Sequence, residues 1–205
     1  MNVLKRIGIF WLGLWLVSVP LDTAMAQNAK KDVAAGKMAM AQLTDTERAQ
    51  LKAFSDRVKE YQAMEKKLPA DKLSPTANVQ QLDQQRQTLR EALQQARPNA
   101  KQGDIFTPDV APVFRKLFRS TLTGEAGKKI RASLNHAEPI GPRDLKVNGV
   151  YPNLAGQPLQ SVPPTLLMNL PVLPKGLEYR LVDHAVVLRD TDANMVVDFL
   201  TDALP

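Results

Sequence analysis

The chain has 205 residues, a formal net charge of +6, two histidines and no cysteine. That composition excludes disulfides, thiolate metal sites, a lipidated N-terminal cysteine and a histidine-rich zinc centre. The length suffices for one ordinary core or two small ones, held by packing alone.

Residues 1 to 26 read as a secretory leader. Lys5 and Arg6 form a positive start, Ile7 to Val19 an apolar run broken by glycines and Ser18, and Ala24-Met25-Ala26 a small-x-small cleavage site before Gln27. The run is shorter than the ~20 residues that cross a bilayer. The expected mature chain therefore starts at Gln27, has no transmembrane segment, and is exported to the periplasm or secreted. Residues 27 to 43, rich in Ala and Lys, read as a flexible tether.

Charge then marks a boundary. Gln27 to Val150 carries 22 Lys and Arg against 14 Asp and Glu, whereas Tyr151 to Pro205 carries 3 against 6. A basic helical region over 44–138 is expected, followed by a proline-rich segment and a small β part over 139–205.

Thr44 and Glu47 have the spacing of a capping box, so the first helix is expected to start there. Leu51, Phe54, Val58, Tyr61 and Leu68 repeat at helical spacing, with Glu65 interrupting, and Val79, Leu82, Leu89, Leu93 and Ala96 repeat a second stripe up to Pro98. The two stripes predict an antiparallel helical hairpin, with a coiled-coil partner site as the other reading. Thr107-Pro108-Asp109 opens a third helix with Val113, Phe114, Leu117 and Phe118 on its apolar side, and Ile130 and Leu134 mark a short further one.

The C-terminal part starts with a weak strand over 145–151. A single helical turn through Leu166, Leu167 and Leu170 follows between prolines. Leu177, Tyr179 and Leu181 alternate with polar residues, Asp183-His184 supplies a turn of two positive-φ residues, Ala185 to Leu188 returns, and Met195, Val197 and Phe199 alternate with Val196 and Asp198. The pattern predicts a three-stranded antiparallel meander docked on the helices or the proline-rich segment. The fold class is thus α+β. Strict alternation places Asp198 toward solvent.

The tail LPKGLEYRLVDHAVVLRDTDANMVVDFLTDALP and the stretch KQGDIFTPDVAPVFRKLF resemble a family of uncharacterised exported bacterial proteins. Those chains close with a Tyr-Arg-x-Val strand, a short apolar strand and an Ala-Asn-x-x-Val-Asp strand. The resemblance implies export and a C-terminal meander, and it carries no activity.

Three constellations carry candidate chemistry. Asp190, Asp192 and Asn194 repeat the opening ligands of a calcium loop, but Met195 stands where the sharp turn needs glycine and Thr201 where a bidentate Glu is needed; a β-turn explains them equally. Ser133 near His136 lacks a strained nucleophile turn and an oxyanion-hole signature. Arg115, Lys116, Arg119, Lys128, Lys129 and Arg131 form a basic cluster interleaved with Phe114 and Phe118, opposed only by Glu125. It reads as a solvated face or as a binding site for an anionic surface.

The expectation is a non-enzymatic exported protein without cofactor that interacts with an envelope protein or structure. The alternatives are an anionic-surface binder using the 115–131 cluster and, more distantly, a small hydrolase. No nucleic-acid fold or aromatic platform is visible, so nucleic acid is not an expected partner.

Overall fold

Helix α1 (Asp45–Glu65) begins at the expected capping box. The Thr44 Oγ1 accepts from the Glu47 N–H at 3.2 Å and the Glu47 Oε2 accepts from the Thr44 N–H at 2.7 Å. Its buried residues are Leu51, Phe54, Val58 and Tyr61, one stripe at spacings of three and four. The computed structural model describes residues 41–68, 78–123, 127, 128, 130–132, 144–152 and 162–204. The leader, the tether up to residue 40, Ser133 and His136 lie outside the described residues.

Helix α2 (Val79–Ala96) starts with a second capping box, Asn78 with Gln81. Only Leu89 and Leu93 of its stripe are buried; Leu82 is half-buried and Val79 is 73% exposed. The stripes of α1 and α2 enter the same core, but α2 does so only with its C-terminal half. Helix α3 (Ala111–Thr121) is preceded by a turn in which the Thr107 carbonyl accepts from the Val110 and Ala111 N–H groups. Pro112 sits in its first turn, where a missing N–H costs nothing. Phe114 meets Phe54 of α1 edge-on at 4.8 Å, and Phe106 meets Phe114 at 5.1 Å. A single turn, α4 (Pro164–Leu167), follows.

Strands β1 (Leu177–Val182), β2 (Ala185–Asp190) and β3 (Met195–Leu200) form an antiparallel sheet in the order β1-β2-β3. The expected meander is present, and the fold is α+β. Of the two turn residues between β1 and β2, only Asp183 takes a positive φ, at 52°. The expected weak strand before Tyr151 contributes one bridge, Val150 to Met195; around it the Tyr151 N–H donates to Asn194 O and the Val196 N–H to Gly149 O. Residues 148 to 151 thereby cover the outer edge of β3 at its start, around Met195 and Val196.

Both faces of the sheet are buried. One packs on the helices through Leu177, Tyr179, Leu181, Val186, Leu188, Met195 and Val197. The other holds a smaller core of Leu145, Tyr151, Val182, Ala185, Val187, Val196 and Phe199. A β-bulge divides β3: Leu188 pairs with Asp198 and Arg189 with Val196, leaving Val197 as the extra residue. The bulge inverts the alternation beyond it. Val197, Asp198 and Leu200 therefore relate to the helical side, and Phe199 to the smaller core.

The expected exposure of Asp198 is overturned: both faces of the sheet are covered, and the inversion turns its side chain to the helical side, where it is completely buried. Its Oδ1 accepts from the Gly103 N–H at 3.0 Å and the Phe199 N–H at 2.8 Å, and its Oδ2 from the Ile105 and Phe106 N–H groups at 2.7 and 2.8 Å. Burial pushes its pKa above the ordinary carboxylate value while these four donors pull it back. One carboxylate thus satisfies the amides of the 103–106 loop and fixes the entry to α3.

Candidate functional site

The six cations of the basic cluster do not share one fate. Arg115 turns into the fold, its Nε donating to Asp202 O at 2.9 Å and its Nη2 to Thr201 O at 3.2 Å. Lys116 Nζ lies 2.8 Å from both carboxylate oxygens of Glu47, and holds the Glu47 pKa below the usual carboxylate range. Arg131 Nη1 donates to Leu122 O. Arg119, Lys128 and Arg131 are exposed, and Lys129 lies outside the described residues. Arg115 and Lys116 are therefore committed to contacts within the chain.

The Asp190, Asp192 and Asn194 group forms a turn whose oxygens are largely engaged. Asp190 is fully buried; its Oδ2 accepts from the Tyr61 hydroxyl at 2.7 Å and its Oδ1 from the Asp192 and Ala193 N–H groups at 2.9 and 2.8 Å. Asn194 adopts φ 48°, and its Oδ1 accepts from Arg189 Nε and Nη2. Only Asp192 is exposed. The Asx turn accounts for the residues that resemble a calcium loop. Among the described residues no three His, Asp or Glu side chains are arranged to hold a metal.

The same turn is gripped by both long helices. Arg90 Nη1 of α2 donates to Ala193 O at 2.9 Å, and the Arg97 guanidinium lies 5.1 Å over the Tyr61 ring. Arg97 also donates to Asn148 Oδ1 at 2.9 Å while Asn148 Nδ2 donates back to Arg97 O at 2.8 Å. Glu65, one turn beyond Tyr61 on α1, is half-buried; burial and the nearby Asp190 and Asp192 raise its pKa to about 7.

A groove of about 450 Å³ runs beside β1. Val162, Leu167, Pro171, Val172 and Leu173 form one wall, and Leu177, Glu178, Tyr179 and Arg180 the other. Strand residues of both parities line it, so it opens on the edge of β1 rather than on a face of the sheet. Val172 is 94% exposed, with Leu167 and Met168 exposed beside it. The Tyr179 hydroxyl donates to Pro171 O at 3.0 Å and ties the two walls together.

The backbone of that edge follows from the hairpin. A two-residue loop makes Val182 and Ala185 a doubly hydrogen-bonded pair, so the N–H and C=O groups of Leu177, Tyr179 and Leu181 point away from β2. Leu177 donates to Pro174 O at 3.2 Å. Tyr179 and Leu181 have no main-chain partner on this side among the described residues. Sequence reading did not find the groove. Its signals were the apolar residues spaced between Pro163 and Pro174 and the charges at Glu178 and Arg180 of an otherwise apolar strand.

Neither the family models, nor the curated proteins, nor the solved structures compared with this chain match it.

Proposed function

We propose that the protein is an exported, non-enzymatic interaction or structural component of the cell envelope, and that it engages other proteins along the β1 edge. The observation that carries this reading is the groove itself: main-chain groups of Tyr179 and Leu181 that have no partner among the described residues, beside an apolar wall that includes the exposed Val172. An extended segment adding to a sheet edge uses such main-chain groups for affinity and such apolar walls for specificity. Export rests on the leader-like residues 1 to 26 and on the resemblance of the tail to exported bacterial proteins.

A photo-crosslinking residue at position 172, introduced in the native host, tests this. The expected result is a covalent adduct with a protein chain in the envelope fraction. Absence of any protein adduct from the envelope, with the chain itself present there, would remove the reading.

The exposure of Arg119, Lys128 and Arg131 favours a second reading, attachment to an anionic lipid or polymer surface. Exposed cations near such a surface contribute about 1 kcal/mol each at low ionic strength. Salt-sensitive sedimentation with anionic vesicles, lost in the double variant Arg119→Glu and Lys128→Glu, is its expected signature.

A further inference from the structure

We infer that Asn148 is a covalent modification site: its side-chain amide carbon is captured by the main-chain nitrogen of Gly149 and its nitrogen is lost as ammonia. The rate is set by the grip of Arg97 on the strap that residues 148 to 151 lay over the start of β3.

Asn148-Gly149 is the one Asn-Gly step in the chain, and the turn imposes both residues. The Gly149 N–H donates to Lys146 O at 2.9 Å, which closes a β-turn with Val147 and Asn148 at its centre. Asn148 takes φ 61°, a conformation that Asn tolerates better than most side-chain-bearing residues. A Cβ on residue 149 would stand 2.9 Å from the Lys146 carbonyl oxygen, so the place suits glycine. The same missing Cβ leaves the Gly149 nitrogen open to the Asn148 Cγ. In the step, that nitrogen attacks Cγ, an N–C bond forms and the Cγ–Nδ2 bond breaks. Nδ2 departs as ammonia with the proton from the Gly149 N–H. Water then opens the cyclic imide at either carbonyl, leaving an aspartate or an isoaspartate at position 148.

The closed fold holds the reacting atoms apart. Asn148 Oδ1 accepts from Arg97 Nη1 at 2.9 Å and Nδ2 donates to Arg97 O at 2.8 Å, so the amide is fixed at both ends against the cap of α2. Gln94 Nε2 donates to Asn148 O at 2.7 Å, and the Asn148 N–H donates to Val196 O at 2.9 Å. The attacking nitrogen is itself engaged by Lys146 O. Cyclisation therefore proceeds from the fraction of molecules in which the strap has lifted.

The products do not fit the grip. A carboxylate keeps an acceptor for Arg97 Nη1 but has no donor for Arg97 O. An isoaspartate adds a methylene to the main chain and displaces Gly149 O from the Val196 N–H, which donates to it at 2.9 Å. Modification thus turns a transient lifting of the strap into a lasting release of the start of β3.

The experiment is ageing of the full chain at mildly alkaline pH, followed by tryptic mass spectrometry of the peptide that begins at Val147. Fragmentation distinguishes isoaspartate from aspartate. Asn169, followed by Leu170, lies in the same peptide and serves as the internal reference. Conversion is expected at position 148 ahead of Asn169, and at least about tenfold slower in buffer than in guanidinium chloride. Folded Arg97→Met is expected to convert several-fold faster than wild type. Arg97 also lies over the Tyr61 ring, so that variant can lose its circular dichroism signal. In that event Gln94→Ala, at an exposed position of α2, releases a separate hold and is expected to speed conversion too. Converted protein should exchange the Val196 and Tyr151 amide hydrogens faster than fresh protein. A position 148 that stays unconverted after full unfolding overturns the inference, as do equal rates in the folded and unfolded chain or folded variants no faster than wild type. Unchanged exchange at Val196 in fully converted protein overturns the release of β3.

Discussion

The Tyr61 hydroxyl donates to Asp190 Oδ2 at 2.7 Å, joining the last turns of α1 to the end of β2 across 129 positions of sequence. Both groups are buried, so neither finds water as a substitute partner. The bond fixes where the long helix lies on the sheet, and with Arg90 on Ala193 O it anchors the turn between β2 and β3 from two helices.

Removing that hydroxyl should be felt as a stability loss. Tyr61→Phe leaves Asp190 buried with its two turn amides but without its side-chain donor, and is expected to cost about 1 to 3 kcal/mol. Urea unfolding followed by circular dichroism measures it, and a loss indistinguishable from zero would mean that water replaces the hydroxyl.

The bulge makes Asp198 more demanding still. Asp198→Ala strips an acceptor from four amides, three of them in the 103–106 loop, and is expected to cost about 3 to 5 kcal/mol. Asp198→Asn keeps an acceptor but turns an NH₂ toward N–H donors, so it should also destabilise. Hydrogen exchange at Ile105 and Phe106 should speed up in both variants; unchanged protection there would separate the carboxylate from the loop.

Glu65 sets a pH dependence whose sign can be worked out. Its pKa is raised from 4.5 to about 7 by burial and by Asp190 and Asp192. Between those values the folded chain binds more protons at this site than the unfolded chain, so its contribution to stability is present below pH 4.5 and is lost as pH rises to about 7. Glu65→Gln should therefore gain stability relative to wild type as pH rises through that window, with no further gain above it. Parallel urea midpoints for the two proteins between pH 4 and 8 check this, and a constant difference across the range would contradict it.

The unequal burial of α2 gives a paired test. Leu89→Ala, at a buried position, should cost about 2 to 4 kcal/mol. Val79→Ala, at the exposed start of the same stripe, should stay within about 0.5 kcal/mol. A large loss at Val79 would show that the N-terminal half of α2 is covered in solution by something that binds it.

Much of the fold was legible because its causes are local. Capping at Thr44 depends on residues three apart, the stripes of α1 and α3 on a period of 3.6, and the β1 and β2 hairpin on alternation around a two-residue loop. Each of these is settled by near neighbours in sequence; the cap and the stripes appear as read, and so does the hairpin except that His184 lacks the positive φ expected of it. The calcium-like spacing of Asp190, Asp192 and Asn194 was also local, and the β-turn reading of it agrees with the bonds these side chains make.

What tertiary structure alone decided was the destination of the polar groups. Alternation in β3 put Asp198 on the face away from the helices; that face is itself covered by the smaller core, and one extra residue at Val197 turned Asp198 to the helical side, because a bulge is a property of the pairing between two strands. Arg115 and Lys116 carried the same charge in the sequence as Arg119, but carbonyls at Thr201 and Asp202 and the Glu47 carboxylate, brought up by folding, claimed them. The β1 edge became visible only in the folded sheet, where residues 148 to 151 cover the start of β3 and β1 has no further strand beside it among the described residues. Sequence determines which residues can be buried or paired; which partner each one meets depends on chain segments 50 to 130 positions away, and only the folded arrangement brings those together.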